Sequence, residues 1–534
     1  MSLREIVRPG PAHRWMITAG YPTPNGPLHL GHLAGPFLGA DALARHLTAT
    51  GHDVRQVSAV DSYEPYVLLA ADRDGRDPVE LAQHFHRDAV RTLAGFDIRQ
   101  EILLDLHEQP WRDEVHRRTH ELVAHLEAAG RVRYEQEKLP RSRRSGRFLV
   151  GPFSLGHCPA CDAPAGGSSC EACGVWFGPA DLVGIRPRLD ADDDVELAPV
   201  TTAFLSAAPQ FGGAEAARRY PAPYQELFDR FCELNGREVR LTQPNGWGIP
   251  YRVRRLEPEV VYNTYGPVWY AAMTLVAEVY GTTAGIGSPF GRDSSVRTVA
   301  TCGLDNVLAW GVQFAYCDDE LDWRPYDYYV VNEFLRLNGS KFSTSRRHVI
   351  WGGDYLDAGL PVDPLRMYLA KIAPARRETD FRPERFARYV AETLRGRLCP
   401  LVRDALARAH GRLPGSLEPT MTRRISEVLI GQTSAFRPPH TDLGLAQRVV
   451  ETWLAAGEAG LARSHPFWWL KTMALLACPF MPRWARHLWQ CLGAGFDPVL
   501  DGFEHGSVPD STVYEPIPDV PTARVSDLIP ETED

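Results

Sequence analysis

The sequence predicts an α/β fold with a parallel sheet, broken by a metal-bearing insertion and followed by a helical bundle. Three observations predict it. Between Arg14 and Glu64 the chain reads strand, helix, strand: "RWMITAGYP" as a buried strand, "LGADALARHLTATG" as a helix stopped at Gly51, and "HDVRQVSAVDSYE" as a second strand, a parallel βαβ unit. Cys158, Cys161, Cys170 and Cys173 fall in one short C-x2-C-x8-C-x2-C run. From about residue 385, "RFARYVAETLRGRLCPLVRDALARAH" opens a helical pattern that continues to about 495.

At 534 residues the chain is too long for one core, and 44% apolar with 23% charged residues is ordinary globular composition. A net charge of -9 gives no general footprint for nucleic acid, which leaves only a local basic patch for that role. The start, "MSLREIVRPGPAHRW", has no apolar signal segment and no stretch is long and apolar enough to span a bilayer, so a cytoplasmic location is expected. Four of the ten cysteines cluster, which favours a metal site over disulfides.

The α/β pattern is expected over 1–115, with an insertion over 116–235 where cysteines, glycines and prolines gather. It returns over 236–325 at "LTQPNGWGIPYRV", "VVYNTYGPVWYAAMTLVAEVYG" and "RTVATCGLDNVLAWGVQFAYC". Residues 326–385 read as strand, turn and loop, 386–495 as the bundle, and 496–534 as a Pro-rich acidic tail, extended or docked late.

Two stretches carry chemistry. In "YPTPNGPLHLGHLAG" a strand runs through a glycine-bearing turn into a helix, an anion-binding arrangement of free N–H groups and helix dipole. His29 and His32, at i and i+3, share a face and can donate to phosphate oxygens, and Gly31 leaves room for a flat base. Alone, the pair reads equally well as surface or metal-binding histidines. In "LNGSKFSTSRRHVI", Lys341 supplies a point charge for polyphosphate, Ser343, Thr344 and Ser345 supply hydroxyl donors, and Arg346 and Arg347 add charge. Four thiolates in two short pairs close a tetrahedral zinc site with no open position, a structural rather than catalytic metal. Cys232, Cys302 and Cys478 read as core residues.

Together the two stretches resemble the HIGH and KMSKS signatures of class I aminoacyl-tRNA synthetases. "YPTPNGPLHLGH", "GHDV", "VDSYE", the cysteine knuckle, "WGIP", "CGLDNV", "NGSKFSTSR" and "VDPLRMYLA" occur in the order of the methionyl-tRNA synthetase family. The likeness runs well over 14–385 and more weakly beyond. It implies a Rossmann-type class I synthetase catalytic domain with an inserted zinc-knuckle connective domain and a C-terminal α-helical bundle. It also implies ATP with Mg²⁺ at the carboxyl ends of the strands, structural Zn²⁺, and an aminoacyl adenylate as product of the first step. By the same resemblance His29, His32 and Lys341 are catalytic; Gly31, Gly303, Asp305, Ser343 and Ser345 bind ATP; and Asp61 holds the amino acid's α-ammonium.

The departures from the family pattern set the functional expectation. In the amino-acid pocket, Tyr21 replaces a small aliphatic residue and Thr23 a tyrosine. Asn263 falls on the usual wall tryptophan, Trp310 on the usual histidine and Ala309 on its aromatic neighbour, while Tyr270 keeps a family tyrosine. These changes predict a smaller or more polar amino acid than methionine. Thr344 replaces the second KMSKS lysine, and Gln243 an arginine before "WGIP". Anticodon-reading positions fall on Pro400 and Asp404, and "HPFWWL" reads as bundle core. The expected function is a diverged methionyl-tRNA synthetase-like enzyme. It would pass an activated amino acid to a small-molecule hydroxyl, for example an N-hydroxylated amino acid in a hydrazine-forming natural-product pathway. No cupin-like His/Glu cluster is present, so a cupin-type partner would be a separate chain. The alternatives are a genuine methionyl-tRNA synthetase charging tRNA, and a non-catalytic binding module.

Overall fold

Alternation along one strand shows how the layers form. In Arg14–Ala19 the side chains of Trp15, Ile17 and Ala19 enter one core, and Met16 enters another on the opposite face. The computed structural model describes residues 3–170, 172–189, 192–206, 218–316, 323–342, 348–411, 414–509 and 512–530. Its central sheet is parallel throughout, in the spatial order Tyr328–Asn332, Arg297–Gly303, Arg14–Ala19, Asp53–Ala59, Ile102–Leu104. Strand order reverses between Arg14–Ala19 and Arg297–Gly303, so the crevice at their carboxyl ends is the topological switch point. The turn carrying His29 follows the first of these strands and Gly303–Asp305 ends the second.

Helix Leu38–Ala49 packs on one face of Asp53–Ala59 and helix Trp269–Ala284 on the other, where helix Trp111–Ala128 joins it. An antiparallel sheet of Val132–Ser142, Val195–Ser206 and Glu238–Arg240 projects from this body and carries the cysteine knuckle on a smaller sheet of Ser154–His157, Pro164–Ala165 and Val183–Pro187. The stretch 241–253, expected to resume the α/β pattern, instead holds one two-residue strand, Thr242–Gln243, paired with Val261–Tyr262. Pro244, Gly246, Gly248 and Pro250 break any longer ladder.

The bundle forms as the periodicity predicts. In helix Pro466–Ala477 the "FWW" residues are buried, and Trp453 and Trp469 each donate an indole N–H to the other's carbonyl, at 3.0 and 3.1 Å. The tail is docked: Ile517, Val520 and Val525 are buried. Cys302 and Cys478 are core residues, whereas Cys232 is only half-buried, because it lies on helix Ala222–Asn235 at the rim of the insertion.

One buried cation joins these parts. Arg366, on helix Val362–Lys371, donates to Asp41 Oδ2 at 2.6 Å and to the carbonyls of Phe96, Asp97, Pro479 and Phe480. Asp41 also receives the Arg45 guanidinium at 2.8 Å. Burial opposes its ionisation, but Arg45 and Arg366 outweigh that and hold its carboxyl down to about 2. Arg366→Met leaves Asp41 with half its countercharge in a dry site and is expected to cost about 3–5 kcal/mol in a urea titration. Asp41→Asn combined with it should cost less than the two changes summed, and full additivity would contradict the pairing.

Candidate functional site

The turn after the first strand is built around two imidazoles. His29 Nδ1 accepts from the N–H groups of Gly31 (3.1 Å) and His32 (3.3 Å), and the His29 N–H donates to His32 Nδ1 at 3.2 Å. The rings stack with centroids 3.7 Å apart. A side chain on Gly31 would meet the His29 ring at 2.9 Å, so the turn requires glycine there. Because both Nδ1 atoms accept backbone hydrogens, each ring carries its proton on Nε2. Burial, and for His29 also the neighbouring ring, keeps both imidazoles neutral: His29 is lowered well below its ordinary value and His32 to about 4. His32 still presents an exposed edge to the crevice. The result is a pair of neutral Nε2–H donors at a helix start, suited to phosphate oxygens.

The second predicted stretch meets the first. Asn338 and Gly339 both take positive φ, 50° and 81°, and turn Leu335–Leu337 back into Ser340–Lys341. Phe342 then stacks on His29 at 5.0 Å, and Trp351 bridges to His29. Lys341 lies over Phe334 at 4.9 Å, and burial lowers its pKa. Ser343, Thr344, Ser345, Arg346 and Arg347 fall outside the described residues. Across the switch point, Asp305 folds back over Gly303, whose missing Cβ would sit 2.6 Å from Asp305 Oδ1. Burial raises the Asp305 pKa.

Asp61 lies at the end of its strand region, 3% exposed, its N–H donating to the Pro22 carbonyl beside Thr23. Burial, then the charge of Glu64, raises its pKa well above the usual carboxylate range. A ligand ammonium would restore the charged form by bringing its own counterion. Tyr21, Trp269 and Trp310 close a triangle at 5.3, 5.2 and 5.0 Å between centroids. The Tyr21 hydroxyl and Trp310 indole N–H are buried with no partner among the described residues. Trp269 stands close enough to favour the charged form of Asp61, without a hydrogen bond of normal length.

Two predicted residues sit elsewhere. Tyr270 packs against Tyr316 and Trp323 instead of this triangle. Asn263 accepts from the Tyr265 N–H at 3.3 Å and lines a neighbouring cavity. Sequence reasoning missed Trp269 and Glu64. Glu64 is 3% exposed, caps helix Pro65–Asp74 by accepting from the Tyr66 N–H, and takes the Tyr265 hydroxyl at 3.2 Å. Burial pushes its carboxyl up to about 7. A carboxylate three residues beyond Asp61, directly before a helix-opening proline, was the available signal.

The four knuckle thiols lie within 4.8 Å of one another, with Cys158–Cys173 at 3.8 Å and Cys161–Cys170 at 3.6 Å. Bonds of about 2.3 Å to a tetrahedral zinc require sulfur separations of about 3.8 Å, so the set fits that metal. Asp162 (φ 59°) and Gly174 (φ 71°) make the same left-handed turn after each second cysteine. Among the described residues no other group of three or more His, Cys, Asp or Glu side chains could hold a metal.

The family model described as tRNA synthetases class I (M) matches residues 15–406. The methionine–tRNA ligase of Rubrobacter xylanophilus is 27% identical over 438 residues, 76% of this chain and 73% of that protein. That of Chlorobaculum tepidum is 25% identical over 529 residues, covering 91% and 74%. The structure of Mycobacterium tuberculosis methionyl-tRNA synthetase bound by methionyl-adenylate superposes with a TM-score of 0.67 at 15% identity, over 97% of this chain and 100% of that one. At that identity the likeness bears on the fold alone. Among the described residues no helix is long and apolar enough to cross a membrane.

Two outcomes are expected. Complete zinc removal should lower the melting temperature and open 158–173 to hydrogen exchange; an unchanged melt would contradict a structural metal. Glu64, raised from 4.5 towards 7, is protonated in folded and unfolded chains below pH 4.5. As pH rises the unfolded chain ionises first, so this contribution to stability is lost through pH 7, at no more than about 1.4 kcal/mol per pH unit. Glu64→Gln should flatten the pH dependence of the urea midpoint over that window, and an unaltered slope would contradict the raised pKa.

Proposed function

We propose, from the premise that this chain belongs to the family of class I tRNA synthetases (M), that it activates an amino acid smaller or more polar than methionine and passes it to a small-molecule hydroxyl. The family's chemistry makes the chain an ATP-dependent ligase, forming an aminoacyl adenylate with release of pyrophosphate. In this reading Asp61 anchors the α-ammonium and the Nε2–H groups of His29 and His32 meet the ATP phosphates. Lys341 supports the leaving pyrophosphate, with Ser343 and Ser345 as further donors. Gly303 and Asp305 face the nucleoside. Mg²⁺, when bound, would neutralise phosphate charge; the residues named here only orient the nucleotide and place protons.

The observation that carries the substrate reading is the aromatic triangle. Tyr21, Trp269 and Trp310 occupy the space beside Asp61, and Tyr21 and Trp310 leave two polar hydrogens without partners there. A long apolar side chain would have to displace the rings and would leave both groups unsatisfied, which costs about 1–3 kcal/mol each. A short or hydrogen-bonding side chain suits the site. For the acceptor, two features argue against an anticodon. Asp404 is paired to Arg408 on an exposed helix face, and the bundle's tryptophans are spent in its core. An N-hydroxylated amino acid is one acceptor of the proposed kind, and a separate cupin-type protein would be the partner that uses the ester. Charging of tRNA with methionine is the competing reading, favoured by the names of the relatives.

ATP–pyrophosphate exchange with each of the twenty amino acids, without tRNA, tests this. A small or polar amino acid should drive exchange best, and His32→Ala and Lys341→Ala should each slow it at least a hundredfold. Best exchange with methionine would overturn the substrate reading, and full activity in both variants would overturn the site.

A further inference from the structure

A cavity of about 330 Å³ lies between the inserted sheet, the cysteine knuckle and the catalytic body, within the size range of small-molecule sites. Glu64, Asn263 and Tyr265 form its inner wall, so it begins where the Asp61 pocket ends. Its polar inventory is unbalanced. Five carboxylates line it, against two guanidiniums. Both guanidiniums are already spent: Arg240 holds the two oxygens of Glu137 at 2.7 Å each, and Arg133 holds Glu238 at 2.7 and 2.5 Å and Glu135 at 2.7 Å. Glu64 and Asp181 accept only from N–H and O–H groups and have no cationic partner among the described residues.

A second observation points to a ligand. Gln243 is 8% exposed, lines the cavity, and its amide has no protein partner among the described residues. An amide with no protein partner on a cavity wall takes its hydrogen bonds from whatever fills the cavity. Trp176, 5.4 Å from Tyr265 at the same wall, keeps a buried indole N–H with no partner among the described residues, a group that is costly to leave unpaired.

We propose that this cavity is the acceptor site, and that it takes a small molecule bearing a protonated amine as well as the hydroxyl that receives the aminoacyl group. The proposal rests on the small-molecule reading given above. The amine faces the surplus carboxylates, while Gln243 and Asn263 present amide groups near the reacting end. In the transfer the acceptor oxygen attacks the adenylate's acyl carbon. The new ester C–O bond forms as the acyl–phosphate C–O bond breaks, the electron pair leaves with AMP, and the hydroxyl proton passes to the departing phosphate oxygen. A polyanionic RNA end fits poorly, since no uncommitted cation among the described residues lines the cavity to meet its phosphates.

The probe pair is 6-aminohexan-1-ol and hexane-1,6-diol, matched in length and differing in charge, with bulk tRNA as a third acceptor. AMP release is followed with whichever amino acid best supports exchange, and binding of each probe to the protein is measured by calorimetry. The amino alcohol should accelerate AMP release saturably, with kcat/KM at least tenfold above the diol. Ser168→Trp, which fills the cavity from the knuckle side, should abolish saturation and binding while exchange persists. If Ser168→Trp loses exchange as well, Gln243→Leu decides, with a tenfold or greater rise in KM for the amino alcohol expected. Equal use of amine and diol, indifference to the deciding variant, or acceleration by tRNA alone would overturn the acceptor site and leave amino-acid activation standing. Absence of exchange with every amino acid would overturn the activation reading itself, and amine binding measured without turnover separates that failure from this one.

Discussion

The architecture depends on a guanidinium with nowhere else to go. Arg366 is 1% exposed and Asp41 is fully buried, and their contact ties a helix of the catalytic body to helix Val362–Lys371 and to the bundle turn at Pro479–Phe480. A hydrophobic pair could match it in energy. What the ion pair adds is direction: five acceptors at fixed angles leave one way to seat the bundle. Helix Leu38–Ala49 is thereby fixed at its first turn, immediately behind the histidine turn, so the precision of the catalytic crevice is inherited from a contact that touches no substrate.

Within the crevice, the same dryness has different effects on different groups. It neutralises His29 and His32, making them donors without charge, and leaves the protons of Asp61 and Glu64 in place until a cation arrives. A site whose imidazoles are neutral and whose buried carboxyls are held towards their protonated forms does not repel ATP or a zwitterion on approach, and gains its charges from the ligands it selects.

Local features of this fold were legible in the sequence. The strand–turn–helix around His29, the Asn-Gly hairpin before Lys341 and the paired cysteines each depend on residues within a few positions. The stacked imidazoles needed only i, i+3 spacing. What stayed hidden was long-range. Glu64 is a buried acid whose hydroxyl partner, Tyr265, lies 201 positions later. The resemblance assigns Tyr270 to the pocket, whereas the fold turns its neighbour Trp269 towards Tyr21 and Trp310 and leaves Tyr270 against Tyr316 and Trp323. Residues 241–253 looked strand-like by composition, but their prolines and glycines left only a two-residue ladder.

The docked tail has a consequence for the order in which the molecule is made. The amide of Leu500 closes the end of helix Leu38–Ala49 at the Ala49 carbonyl, and Arg4 and Arg99 are met by Asp501 and Asp497. This βαβ unit is therefore completed by a segment far along the chain, which leaves the ribosome well after it. Until then its apolar face, destined for the bundle, has no cover. Such a chain covers this unit late, because contacts of this span are the slowest to form. Its vulnerable interval is the time of synthesis, when a chaperone's work would be to hold residues 14–60 until residue 500 arrives.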